Sequence, residues 1–173
     1  MKLVDCTLPR HGAAILAILN DAIVHSTALY DYQPRTMAQM TAWFEARQAG
    51  HYPVIGLEDE AGELLGFASY GPFRAFAAYQ YTVEHSVYVR RDARGRGLGR
   101  QLLQAVIGRA RAQQLHVLVG AIDADNTASI ALHRQLGFVH AGTLRQVGYK
   151  FGRWLDLALY QLVLETPAQP REG

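Results

Sequence analysis

The chain has 173 residues, half of them hydrophobic and 18% charged, with a formal net charge of +2. This length suits one domain with an ordinary core, and the composition excludes a disordered or low-complexity chain. The mild charge argues against a nucleic-acid partner, and the single cysteine, Cys6, excludes a disulfide framework or a cysteine-built zinc site.

No apolar stretch approaches the length of a membrane span, and Asp5 interrupts the N-terminus before any apolar signal core. The expectation is a cytoplasmic protein with no membrane partner. Residues 3–8 form the first apolar run, expected to be a strand that holds Cys6 as a buried, inert thiol. Pro9 then opens a helix with Ile15, Leu16, Ile18, Leu19 and Ile23 on its apolar face. The following His25, Ser26, Thr27, Tyr30 and Tyr32 read either as a surface loop or as a pocket wall offering hydroxyls. After Pro34, residues 36–49 carry Met37, Met40, Trp43 and Phe44 at helical spacing, and Gly50 closes that helix.

Residues 53–58 and 64–70 are expected to pair across a turn containing Gly62, with Gly71-Pro72 stopping the second strand. Residues 73–81 are an aromatic loop with one charge, Arg74, and residues 82–89 form a further strand. Glycines then alternate through Arg94-Gly95-Arg96-Gly97-Leu98-Gly99-Arg100, ahead of a helix over 98–113 marked by Leu98, Leu102, Leu103, Val106, Ile107 and Ala110. A strand, a glycine loop and a helix start place free amides and a partial positive charge where an anion can sit. The spacing is not the G-x-G-x-x-G of dinucleotide sites, and Arg100-Gln101 after Gly99 excludes a Walker loop. Arg90, Arg91, Arg94, Arg96 and Arg100 surround the loop, which suits a compact phosphate ligand better than nucleic acid. On the loop alone, the glycines equally suit a tight turn with no ligand.

Residues 116–122 are nearly continuous in apolar character, as in strands buried on both faces. The crossover from 82–89 to this strand is then a right-handed parallel unit. Asn126 or Thr127 caps a helix carrying Ile130, Leu132 and Leu136 and ending at Gly137-Phe138. Residues 138–146 and 154–165 are strands, with Gly148 and Gly152 between them, and the tail from Thr166 is expected to fray. The element order makes an α/β protein with a mixed sheet and helices on both faces, a single domain over 1–166 and a flexible tail over 167–173.

The run R-x-x-G-x-G, starting at Arg94 and ending at Gly99, resembles the pyrophosphate loop of the GNAT superfamily of acetyl-CoA-dependent N-acetyltransferases. Asn126-x-x-Ser129-Ile130-x-Leu132-His133-x-x-x-Gly137-Phe138 is similar to the second signature of that superfamily. Residues 79–89 (YQYTVEHSVYV), the helix with His133, and residues 147–156 (VGYKFGRWLD) look like the phosphinothricin and methionine sulfoximine N-acetyltransferases, over nearly the whole chain.

This resemblance implies the GNAT acyl-CoA N-acyltransferase fold, with acetyl-CoA as co-substrate and no metal. Arg94, Gly95, Arg96, Gly97, Leu98, Gly99 and Arg100 would hold the pyrophosphate, and Asn126 and Ser129 would line the CoA arm. The backbone of Val87, Tyr88 and Val89 would meet the pantetheine amides and the thioester oxygen. The acceptor would be a small amino acid, and the protein a homodimer with residues 149–154 as a plausible contact.

Acetyl transfer to an amine requires a base, because an α-ammonium keeps its proton through much of the physiological range. By resemblance Glu84 and His133 are the catalytic pair on opposite sides of one cleft. Read without the resemblance, Glu84 is a solvated strand residue and His133 a packed helical one. His85 is expected to face away from Glu84, since strand side chains alternate.

Arg74 suits a carboxylate, phosphinyl or sulfonyl oxygen, and with Phe76 and Glu84 it completes the substrate set. Phe76 stands where phosphinothricin-resistance enzymes usually carry a second basic residue. That departure favours a less anionic analogue, such as methionine sulfoximine or sulfone. Because Cys6 lies elsewhere, transfer is expected to be direct within a ternary complex. Acetylation of a protein N-terminus and a CoA-binding sensor without turnover are the alternatives.

Overall fold

The structure is a computed structural model and describes residues 1–172. Eleven elements follow one another: β1 (Lys2–Asp5), α1 (Leu8–His25), α2 (Met37–Ala49), β2 (Val54–Glu58), β3 (Leu64–Pro72), β4 (Thr82–Val89), α3 (Leu98–Ala112), β5 (Val117–Asp123), α4 (Thr127–Gln135), β6 (Val139–Lys150) and β7 (Arg153–Val163). The strands form one sheet in the order β1-β2-β3-β4-β5-β7-β6. Its β4–β5 pair is parallel, while β1–β2, β2–β3, β5–β7 and β6–β7 are antiparallel, so the expected mixed α/β architecture is present.

The chain divides into two compact units, one of residues 1–70 and 86–106, the other of residues 71–85 and the chain from Ile107 on. In the first unit the core holds Ile15, Ile18 and Leu19 of α1, Met40 and Phe44 of α2, and Val54, Leu64 and Phe67 of the sheet. Burying each such side chain contributes about 1.5–3 kcal/mol. A capping box starts α2, with the Gln39 amide donating to Thr36 Oγ1 and the Thr36 amide donating to Gln39 Oε1.

The first strand is shorter than its apolar run suggests. It ends at Asp5, and Leu8 is already helical, because Pro9 is preset for a first helical turn and the Thr7 amide is taken up by His11 Nδ1 at 2.9 Å. Cys6 falls in the connection, where burial, followed by the charges of Glu58 and Asp5, pushes its thiol up to about 12. That thiol is inert as a nucleophile. At the other boundary in question, β3 continues through Gly71 and Pro72, since the Phe73 amide still donates to the Thr82 carbonyl at 3.4 Å. Pro72 sits at the strand end, where its missing N–H costs no ladder bond.

In the second unit, β4 pairs with β5 from Thr82↔Val117 to His85↔Gly120. β5 is buried at Leu118, Val119, Gly120, Ile122 and Asp123, as its continuous apolar run predicts. β6 reaches Lys150 and does not stop at Gln146. A bulge absorbs the irregularity there: Gln146 takes φ 55° and its amide donates to Asp156 Oδ1 at 2.8 Å. Gly148 is therefore inside the strand, and the hairpin turns on Phe151 and Gly152, both at positive φ as a two-residue turn requires. Beyond β7, Thr166 Oγ1 donates to the Leu115 carbonyl, and the Arg171 carbonyl accepts from Gln80 Nε2 at 3.0 Å.

Candidate active site

The glycine loop follows β4 through a short 3-10 turn at Arg91–Ala93 and runs straight into α3. Gly95 and Gly97 take φ values of 76° and 75°, and a Cβ on either would meet nothing within 4 Å. These glycines are present for their backbone conformation and not for lack of room. Leu98, Leu102, Leu103 and Val106 anchor the helix start from beneath, all essentially inaccessible. The first turn of α3 carries no acidic side chain that would compete for its amides.

Several arginines around the loop are already placed by neighbours. Arg91 Nη2 lies 3.1 Å from Asp21 of α1, Arg90 Nε lies 2.7 Å from Asp92, and Arg94 Nε donates to the Val89 carbonyl at 3.2 Å. Arg94, Arg96 and Arg100 remain exposed, as do Gly95 and Gly97. Just upstream, Val87, Tyr88 and Val89 are half-buried, and Tyr88 stacks on Phe67 with ring centroids 5.5 Å apart.

Asn126 is the N-cap of α4, its Oδ1 accepting from the Ser129 amide at 3.1 Å, which settles the choice between Asn126 and Thr127. Ile130, Leu132 and Leu136 are only half-buried. The buried side chain of α4 is His133.

Glu84 lies on the solvent-reaching face of β4, between buried Val83 and buried His85. Partial desolvation raises its carboxyl above the usual carboxylate range, and the guanidinium of Arg74 opposes that shift without cancelling it. Arg74 itself rests over the Phe73 ring at 4.5 Å, and Tyr79 meets Phe73 edge-on. Phe76 is 77% exposed on the same loop. Arg74, Phe76 and Glu84 are thus all accessible, and Arg74 and Glu84 interact electrostatically.

His133 is brought to a different partner. Its Nε2 lies 2.9 Å from His85 Nε2, the two rings stack at 26° with centroids 5.1 Å apart, and Phe138 packs against both. Its Nδ1 lies 2.7 Å from the Ser129 carbonyl. A carbonyl only accepts, so His133 carries its proton on Nδ1, and its Nε2 must accept from a proton on His85 Nε2. His85 Nδ1 is buried and makes no hydrogen bond of good geometry. Burial, reinforced by His133, drives the His85 ring down to about 3, which the Val119 backbone does not offset, and burial also lowers His133. Both rings are neutral at physiological pH.

His85 faces away from Glu84, as alternation requires. Its contact with His133 was not read from the sequence, although it shares the parity of apolar Val83. Gly120 was missed too. A Cβ there would lie 3.0 Å from His85 Cε1 and 3.2 Å from His133 Nε2. Among the described residues, no three or more His, Cys, Asp or Glu side chains are grouped to hold a metal ion.

Residues 17–138, which include the glycine loop and the Asn126-capped helix, match the acetyltransferase (GNAT) family. The chain belongs to that family. An L-methionine sulfoximine/L-methionine sulfone acetyltransferase of Pseudomonas paraeruginosa is 58% identical to it over 151 residues, covering 87% of this chain and 88% of the relative. The structure of a GNAT phosphinothricin acetyltransferase from Sinorhizobium meliloti in complex with acetyl-CoA is 35% identical, with a TM-score of 0.94 over 99% of this chain and 94% of that one. A ribosomal-protein-alanine N-acetyltransferase from Brucella melitensis is 44% identical, with a TM-score of 0.92 over 95% of this chain and all of that one. As a GNAT member the chain is an acetyltransferase enzyme, with a glycine loop at the start of α3 and an accessible carboxylate on the strand that leads into it.

Proposed function

We propose that this enzyme transfers the acetyl group of acetyl-CoA to the α-amino group of a small amino acid of the methionine sulfoximine or methionine sulfone type. The observation that carries this reading is Glu84. Partial burial raises its carboxyl above the ordinary value, and it lies within electrostatic reach of the guanidinium of Arg74. Arg74 accepts the carboxylate of the amino acid, and Glu84 binds its ammonium. Phe76 leaves the side-chain end of this loop apolar, which suits an uncharged sulfoximine or sulfone better than an anionic phosphinate.

The glycine loop from Arg94 to Arg100 holds the pyrophosphate of acetyl-CoA, and Asn126 and Ser129 are assigned to its arm. Glu84 takes one proton from the ammonium, directly or through water. The freed amine lone pair forms the new C–N bond at the thioester carbonyl, and the C–S bond breaks. Backbone amides between Val87 and Val89 carry the charge that builds on the carbonyl oxygen; the nitrogen, positively charged once the C–N bond has formed, loses its second proton, and the departing thiolate takes up a proton through solvent. The transfer is direct, in a ternary complex, since Cys6 is an inert thiol. The protein works in the cytoplasm as a homodimer. Exposed Val147, Phe151 and Trp154 on the β6–β7 hairpin offer an apolar surface for the partner copy.

Thiol release from acetyl-CoA, measured with methionine sulfoximine, methionine sulfone, phosphinothricin and alanine-initiated peptides, tests the proposal. The sulfoximine and sulfone should be the best acceptors. Release with peptides alone would replace it by N-terminal protein acetylation, the reading that the Brucella relative's name favours. Binding of acetyl-CoA with no release to any acceptor would leave a sensor.

A further inference from the structure

Within the second unit, the chain beyond β7 is pinned at two places. The Leu164 amide donates to the His116 carbonyl at 2.7 Å, Thr166 Oγ1 donates to the Leu115 carbonyl, and His116 Nδ1–H donates to the Thr166 carbonyl at 2.7 Å. Pro167 and Pro170 restrict the short stretch that follows. Arg171 then closes on one side chain with both of its backbone groups. Its amide donates to the Tyr81 hydroxyl at 3.0 Å, and its carbonyl accepts from that hydroxyl at 2.9 Å and from Gln80 Nε2 at 3.0 Å. Tyr81 is anchored on the same segment as the tail, since its carbonyl accepts from the His116 and Val117 amides at 2.8 and 3.1 Å. Gln80 and Tyr81 end the aromatic loop that carries Arg74. Every residue of that loop from Arg74 to Gln80 is exposed, and its regular structure is one 3-10 turn, Ala77–Tyr79. A segment that buries so little of itself is held by what grips its ends.

We propose that residues 164–172 form a clasp that holds the Arg74 loop in its acceptor-binding position, with Tyr81 and Gln80 as the positioning residues it grips. The clasp presents backbone atoms of Arg171, so the side chains that matter are those of Tyr81 and Gln80 and not those of the tail. From Tyr81 the hold passes along the loop to Tyr79, which meets the Phe73 ring edge-on, and Phe73 supports the Arg74 guanidinium. Released from the clasp, the loop spends part of its time with Arg74 out of place, and acceptor affinity falls by that fraction. The assignment rests on the reading that Arg74 takes the carboxylate of the acceptor.

Tyr81→Phe removes the hydroxyl and keeps the ring. It should raise the acceptor KM about threefold to tenfold, the worth of hydrogen bonds of this kind, with kcat at saturating acceptor and the KM for acetyl-CoA unchanged. A chain ending at Thr166 should show the same change, and Tyr81→Phe made in that shortened chain should add nothing further, because both changes break one contact. Backbone nitrogen relaxation of the full-length protein supplies a readout that needs no turnover. Residues 74–80 should become more mobile in Tyr81→Phe while β5 stays as rigid as in wild type. Additive losses would mean that Tyr81 meets the acceptor directly and would overturn the clasp, as would unchanged mobility of the loop or an equal rise in the KM for acetyl-CoA. A loop that loosens as stated, in a protein that acetylates no amino acid, would overturn the functional reading and leave the clasp standing.

Discussion

His11 and Glu58 meet inside the first unit, with His11 Nε2 3.0 Å from Glu58 Oε1. The Thr7 amide occupies Nδ1, so the proton of the ring sits on Nε2 and is donated to the carboxylate. Arg10 Nη2 lies 2.7 Å from the same oxygen. The His11 hydrogen bond, ahead of the attraction of Arg10, holds the Glu58 carboxyl below its usual value despite desolvation.

A depressed carboxyl contributes stability above its unfolded value, about 4.3, and loses it as pH falls through the folded value. Glu58→Gln removes this contribution. Thermal melts should therefore show wild type ahead of the variant near pH 7, with the gap closing as the buffer is taken below about pH 4. A gap independent of pH would deny the linkage.

Glu84→Gln should lower kcat/KM for the amino acid by about a hundredfold or more, with acetyl-CoA affinity little changed. The deficit should be greatest just above the raised Glu84 value, where the carboxylate is ionised and the acceptor is almost wholly ammonium, and should shrink as pH rises and the amine frees itself. In wild type, activity falls as pH drops through the raised Glu84 value, since the protonated carboxyl is no base. Calorimetric titration with CoA separates this outcome from a structural defect, which would weaken CoA binding too.

Arg74→Ala has two consequences. Loss of a charge-assisted anchor should raise the acceptor KM by about tenfold to a hundredfold while sparing the KM for acetyl-CoA. Because Arg74 lowers the Glu84 carboxyl, its removal should also move the acidic limb of the pH profile to higher pH. An unmoved limb would separate the two side chains in function.

Gly97→Ala places a Cβ in open space but at a φ of 75°, so its cost is conformational, about 1–2 kcal/mol. The KM for acetyl-CoA should rise by about tenfold, and Gly97→Asn should be milder than Gly97→Val, following tolerance of the left-handed region. Equal effects of Asn and Val would mean that bulk, and not backbone conformation, is limiting.

What residue type and spacing determined by themselves is local. The alternating glycines ahead of the Leu98, Leu102, Leu103 stripe, the helix opening after Thr36 and the cap at the start of α4, offered by Asn126 or Thr127 and taken by Asn126, each depend on neighbours within a few residues. The continuous apolar run of β5 was legible for the same reason: burial on both faces leaves a mark in every residue. Boundaries failed where a distant or capping partner decided them. His11 drew Leu8 into α1, Asp156 held β6 through the bulge at Gln146, and Thr82 carried β3 past Gly71. Only the tertiary structure joined His85 to His133, because the two are 48 residues apart and meet over a position whose side chain is absent. Neither histidine alone carries a signal for that contact: hydrogen-bond geometry and desolvation arise only once β4, β5 and α4 have packed, and these set both the tautomers and the neutrality of the pair.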